Sequence, residues 1–101
     1  MAAMLENLVY LELLRRGYVV NIGKIDNAEI DFMAAKRDNK LYVQVARRIE
    51  SEETELRQYD RLLSLPDNYP KYVLRTDDFA GGNVNGIKIM HISDFLLSAE
   101  Y

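Results

Sequence analysis

Three extended segments follow one another within residues 18–46, and the links between them have room only for turns. Tyr18-Val19-Val20-Asn21-Ile22-Gly23-Lys24 is β-branched and aromatic enough to be a strand. Ala28 to Ala35 reads as a second strand, and Leu41 to Ala46 as a third. The third alternates with period two: Leu41, Val43 and Val45 share one face, while Tyr42, Gln44 and Ala46 share the other. Asp26-Asn27 marks the first turn, and Arg37-Asp38-Asn39-Lys40 is a polar hairpin loop. A parallel return needs a crossover of a dozen or more residues, so segments this close must form an antiparallel meander.

Helical patterns flank the meander. Residues 3–16 are rich in Leu, Glu, Met and Ala, all good helix formers. Their apolar stripe is so wide that the helix is expected to be buried on most sides. Glu12 can pair with Arg16 at i,i+4, and Gly17 is a natural C-terminal stop. Ser51-Glu52-Glu53 opens a second helix, with Leu56, Tyr59 and Leu63 as its stripe and Pro66 as its end. Lys71 to Thr76 is a fourth strand, and the run from Gly81 to Gly86 is a flexible turn. Ile87 to Ile92 is a fifth strand, after which Ser93 caps a short helix over residues 94–99. The middle helix should act as a right-handed crossover that brings the fourth strand alongside the sheet. The expected fold is a single α/β domain over residues 1–101, a mixed sheet flanked by helices.

Composition narrows the chemistry. Without cysteine there are no disulfides or thiolate sites, and a reducing cytosol fits best. One histidine, His91, makes a zinc site unexpected, and it reads as structural. No apolar run spans a membrane. The net charge of -3 lacks the basic surplus of a dedicated nucleic-acid binder. The seven tyrosines read as core and rim residues rather than base-stacking platforms, with Tyr10, Tyr18 and Tyr42 near the candidate site. The Gly81-Gly82 stretch lacks the lysine and helix of a phosphate-cradling loop.

Glu6 lies on the first helix, Glu29 and Asp31 on one face of the second strand, and Gln44 on the third. A short hairpin joins these two strands, so the pleat can set Asp31 beside Gln44. Metal-dependent nucleases need an acid on one strand and an acid-x-lysine on the next. Carboxylates hold a hard divalent ion through oxygens, the ion activates a water, and the lysine positions it.

The order of elements resembles the PD-(D/E)XK, restriction-endonuclease-like superfamily, with its αβββαβ core and here an extra C-terminal strand and short helix. More closely, LENLVYLELLRRGYVVNIGK, AEIDF and LYVQVA resemble the C-terminal nuclease-like domain, of unsettled function, of bacterial and archaeal AAA+-type ATPases. The resemblance covers nearly the whole chain, and the leading helix with EIDF is its most specific part. It implies an ATPase domain preceding this one in a larger cytoplasmic protein. It also places Glu6 at the helix acid, Asp31 at the strand-two aspartate, Gln44 at the first position of (D/E)-x-K and Ala46 at the lysine. Asp31 and Gln44 would then be the metal ligands, with Mg²⁺ as the implied ion.

Ala46 cannot orient water, and Gln44 offers only a neutral carbonyl. Arg47 and Arg48 are candidate phosphate contacts, though an always-protonated arginine cannot serve as a base. The leading expectation is a nuclease-like domain that has lost most of its chemistry and serves as a binding or regulatory module, for DNA or another protein. The rivals are an active Mg²⁺-dependent DNA endonuclease and a structural dimerisation domain.

Overall fold

The computed structural model describes residues 2–25, 28–45, 59–60, 62–64, 68–76 and 82–101. Helix α1 (Ala2–Arg15) ends where Gly17 takes φ +93°. The Gly17 N–H donates to the Leu14 carbonyl and the Tyr18 N–H to that of Leu13, both at 3.0 Å. That double closure is a Schellman motif, and its apolar clasp is Leu13 and Tyr18, both buried in one core cluster.

Strands β1 (Val19–Ile25), β2 (Ala28–Lys36) and β3 (Asn39–Val45) form the antiparallel meander that the short links require. Lys36 pairs with Asn39, so the second hairpin narrows to the two-residue loop Arg37-Asp38. The expected first turn, Asp26-Asn27, lies outside the described residues. Strand β4 (Lys71–Arg75) runs parallel to β3, as a crossover demands.

The run expected to be a flexible turn instead contains a further strand, β5 (Gly82–Val84), paired antiparallel to β6 (Ile87–His91). Asn85 and Gly86 sit at φ +51° and +94°, the two left-handed positions of a type I′ turn. The Asn-Gly pair was the signal, because these residues accept positive φ at least cost. Strand β6 is parallel to β4, so the six-stranded mixed sheet has the order β1-β2-β3-β4-β6-β5.

Helix α2 (Ile92–Leu97) starts earlier than expected, and its cap is His91 rather than Ser93. The His91 Nδ1 accepts the Ser93 N–H at 3.1 Å, which leaves the proton on Nε2, 3.2 Å from the Thr76 carbonyl. The single histidine is thus structural.

Side chains pack on both faces of the sheet. Val9 and Leu13 of α1 and Phe95 of α2 meet Phe32, Ala34, Val43 and Leu74 on one face. On the other, the helical residues Tyr59 and Leu62 meet Tyr42, Val73, Ile87 and Ile89. Leu62, not the expected Leu63, completes the buried pair with Tyr59, and Leu63 is exposed. Residues 51–58, 61 and 65–67 of the expected middle helix and its end, including Leu56 and Pro66, lie outside the described residues. Helix α1 also departs from expectation. It buries Val9 and Leu13, but Met4, Leu8 and Leu11 stand exposed at 66%, 45% and 51%. Width of an apolar stripe does not by itself supply a partner for every side of it.

Arg16 ties the two helices together. Its guanidinium donates to Glu12 at 2.7 Å, to the Leu96 carbonyl at 3.1 Å and to the Tyr101 carbonyl at 3.3 Å. It also lies 3.7 Å from the Tyr101 ring centroid, and that ring stacks on Phe95 at 4.2 Å. Hydrogen bonds from Arg15 and Arg16 hold the Glu12 carboxyl down at about 2. Burial pushes the Tyr101 hydroxyl up to about 12.

Candidate functional site

Two irregularities coincide at Asp31. Between the pairs Asn21–Met33 and Gly23–Ile30, β1 advances two residues and β2 three. The extra β2 residue falls across Asp31 and Phe32, opposite Ile22, and forms a bulge. On the other side of β2, the ladder with β3 extends only as far as Phe32–Val43. On its other edge β3 stays paired with β4, from Tyr42–Lys71 to Val45–Leu74.

Side chains replace the missing rungs. The Asp31 N–H donates to Gln44 Oε1 at 3.1 Å, and the Val45 N–H donates to Asp31 Oδ2 at 2.8 Å. The two residues therefore clamp each other's strands. Each side-chain oxygen satisfies a backbone donor that the diverging strands leave behind. The expected juxtaposition of Asp31 and Gln44 is present, but as side chain against backbone rather than as two side chains aimed at a common point.

The other expected site residues are placed as follows. Glu6 is partly buried on α1, one turn ahead of Tyr10, whose ring lies 6.1 Å from that of Phe32. Position 29 pairs with Lys24 beyond the bulge. Ala46, Arg47 and Arg48 lie outside the described residues. Among the described residues, no three His, Cys, Asp or Glu side chains cluster as a metal site.

A resident Mg²⁺ wants several hard oxygens at once. The described donors are one carboxylate and one amide, and each already accepts a backbone N–H. With one oxygen of each committed to a backbone N–H, this pair forms a structural clamp.

The sheet has a second chemical end. At the β2–β3 hairpin, Lys36 Nζ lies 4.5 Å from the Tyr18 ring centroid and donates to the Arg16 carbonyl at 3.4 Å. Tyr18 therefore belongs to this end rather than beside Asp31, where it was expected. Lys40 Nζ sits 5.3 Å from the Tyr42 ring and 5.5 Å from that of Tyr69. Lys71 Nζ lies 5.7 Å from the same Tyr42 ring. Sequence reading missed this group, since its members come from distant strands. The available signal was the density of Lys36, Arg37 and Lys40 around one turn.

A 93-residue stretch, 92% of this chain, is 45% identical to a protein of Haemophilus influenzae described as an uncharacterized protein. The chain spans 22% of that relative's length. No protein-family model matches the chain. Among the described residues, no helix is long and apolar enough to cross a membrane.

Proposed function

We propose that this chain is a degenerate PD-(D/E)XK nuclease-like module of a larger, cytoplasmic AAA+-type ATPase, and that it binds or regulates rather than cuts. The observation that carries this reading is the clamp between Asp31 and Gln44. A carboxylate and an amide stand where the resemblance implies two metal ligands, and both serve the backbone instead. Ala46 at the lysine position removes the group that would orient water. The order of a helix, a three-stranded meander and a parallel fourth strand supports the same reading. So does a relative in which the matched stretch is only 22% of the length.

The test combines Mg²⁺ or Mn²⁺ titration calorimetry with a cleavage assay on plasmid and branched DNA. Neither cleavage nor metal binding is expected. Robust metal-dependent cleavage that Asp31→Asn abolishes would establish the active endonuclease instead.

A structural dimerisation role has one observation in its favour. Met4, Leu8 and Leu11 follow i, i+4, i+7 spacing, so they form one exposed apolar row along α1. Light scattering after gel filtration decides this reading. A dimer that Leu8→Glu splits into monomers would support it, and a monomer at all concentrations would refute it.

A further inference from the structure

We propose that Asn85 is a deamidation site, that the Asn83 side chain guards it, and that its conversion releases strand β5 from β6. The site shares no residue with the Asp31 clamp, so it stands or falls apart from the nuclease-like reading.

The first observation is the dipeptide and its exposure. The chain has seven asparagines, and only Asn85 is followed by glycine. Asn85 and Gly86 are both exposed, and nothing lies within 4 Å of where a Cβ on Gly86 would stand. An asparagine side chain is attacked by the peptide nitrogen that follows it, and a side chain on that next residue crowds the approach. Glycine brings no such crowding.

In the reaction the Gly86 nitrogen gives up its proton and attacks Asn85 Cγ. The new N–C bond closes a succinimide ring. The Cγ–Nδ2 bond breaks, and ammonia leaves with the proton that Gly86 lost. Water then opens the ring at one of its two carbonyls. One opening gives aspartate; the other gives isoaspartate, in which the main chain runs through the former side chain. Asparagine and water become acid and ammonia, with no oxidant or further reactant.

The second observation is the guard. The Gly86 N–H donates to Asn83 Oδ1 at 2.9 Å. That bond keeps the proton on the nitrogen that must lose it and holds Gly86 in the turn. Asn85 and Gly86 sit at φ +51° and +94°, closed off by the Val84–Ile87 pair. Reaction therefore waits for the hairpin to open, and opening sets the rate.

The third observation is what the turn supports. Strand β5 lies at the outer edge of the sheet and meets β6 only through Gly82–Ile89, Asn83–Lys88 and Val84–Ile87. A two-residue type I′ loop has no spare backbone atom. An isoaspartyl link adds a carbon to the main chain there and leaves a negative charge beside it. So short a ladder has little to hold the strand against that misfit. Once β5 leaves, β6 becomes the sheet edge, and Val84 no longer packs against the core cluster of Ile87 and Ile89.

Peptide mapping by mass spectrometry, after incubation in mildly alkaline buffer, tests this. The free peptide of residues 82–89 serves as the unguarded reference. Asn85 should convert at least about tenfold more slowly in the folded chain than in that peptide. Asn83→Ala should speed conversion by about twofold to tenfold, the worth of one ordinary hydrogen bond. Asn83→Asp keeps an acceptor and should not speed it. Freshly made Asn85→Asp carries the charge without the extra carbon, and a left-handed aspartate is tolerated, so it should keep the parent's urea midpoint. The isoaspartyl form, purified from aged protein, should unfold at lower urea and lose amide protection in β5. Conversion as fast in the chain as in the peptide, or an unchanged rate in Asn83→Ala, would overturn the proposal. So would conversion at another asparagine ahead of Asn85, or an isoaspartyl form as stable as Asn85→Asp.

Discussion

Removing the Asp31 acceptor should cost more than removing its charge. Val45 is only 3% exposed, and its N–H donates to Asp31 Oδ2 at 2.8 Å where the β2–β3 ladder has ended. Asp31→Ala leaves that donor without a partner in a place water reaches poorly. Stranding a buried donor costs about 1–3 kcal/mol, and the lost bond was charge-assisted, so about 2–3 kcal/mol is expected. Asp31→Asn keeps an oxygen in place and converts the bond to a neutral one, a loss of about 0.5–1 kcal/mol. Gln44→Met removes the other half of the clamp, the acceptor for the Asp31 N–H at 3.1 Å, and should cost about 1–2 kcal/mol. Urea unfolding, followed by far-UV circular dichroism because the chain has no tryptophan, gives all three values. Equal losses for Asp31→Asn and Asp31→Ala would refute the argument, because the fold would then need the charge and not the acceptor. A loss below about 0.5 kcal/mol for Asp31→Ala would refute it as well, since the clamp would contribute nothing. The ranking also makes Asp31→Asn, rather than Asp31→Ala, the variant for any cleavage assay.

Gln44→Glu should lower the melting temperature at neutral pH by setting two carboxylates together, and added Mn²⁺ should reverse the loss; an unchanged melting temperature in both conditions counts against the placement of this pair. Arg37→Gly should stabilise the domain by about 0.5–1 kcal/mol in the same urea assay, since glycine tolerates φ +35°. Glu12 titrates at about 2 in the folded chain, below its usual 4.5. Its contribution is therefore complete above about pH 4.5 and is lost as the pH falls toward 2. Glu12→Gln should remove that part of the acid sensitivity, read as a flatter urea midpoint between those pH values.

Much of the fold was legible residue by residue. Gly17 after a leucine-rich helix reads as a left-handed stop, and it is one, because a residue without Cβ adopts φ +93° most easily. Val43 and Val45 alternate with Gln44, and alternation alone turns the valines to the core. What stayed hidden had non-local causes. His91 caps α2 because Thr76, fifteen residues away, receives its other nitrogen. Met4, Leu8 and Leu11 are exposed because only one side of α1 meets the sheet, a fact about neighbours rather than about the helix.

The candidate site divides in the same way. That Asp31 and Gln44 lie opposite each other follows from strand period and hairpin length, which are local and additive along the chain. How they face each other does not. The bulge across Asp31 and the end of the β2–β3 ladder at Phe32–Val43 arise from pairing between strands, and together they turn two polar side chains into backbone acceptors. The meander, the helix stop and the meeting of Asp31 with Gln44 are readable from residues a few positions apart. That this meeting is a clamp, and that Lys40 of β3 and Lys71 of β4 meet beside Tyr42 and Tyr69, comes from packing. Both depend on the register between strands, which no single strand encodes.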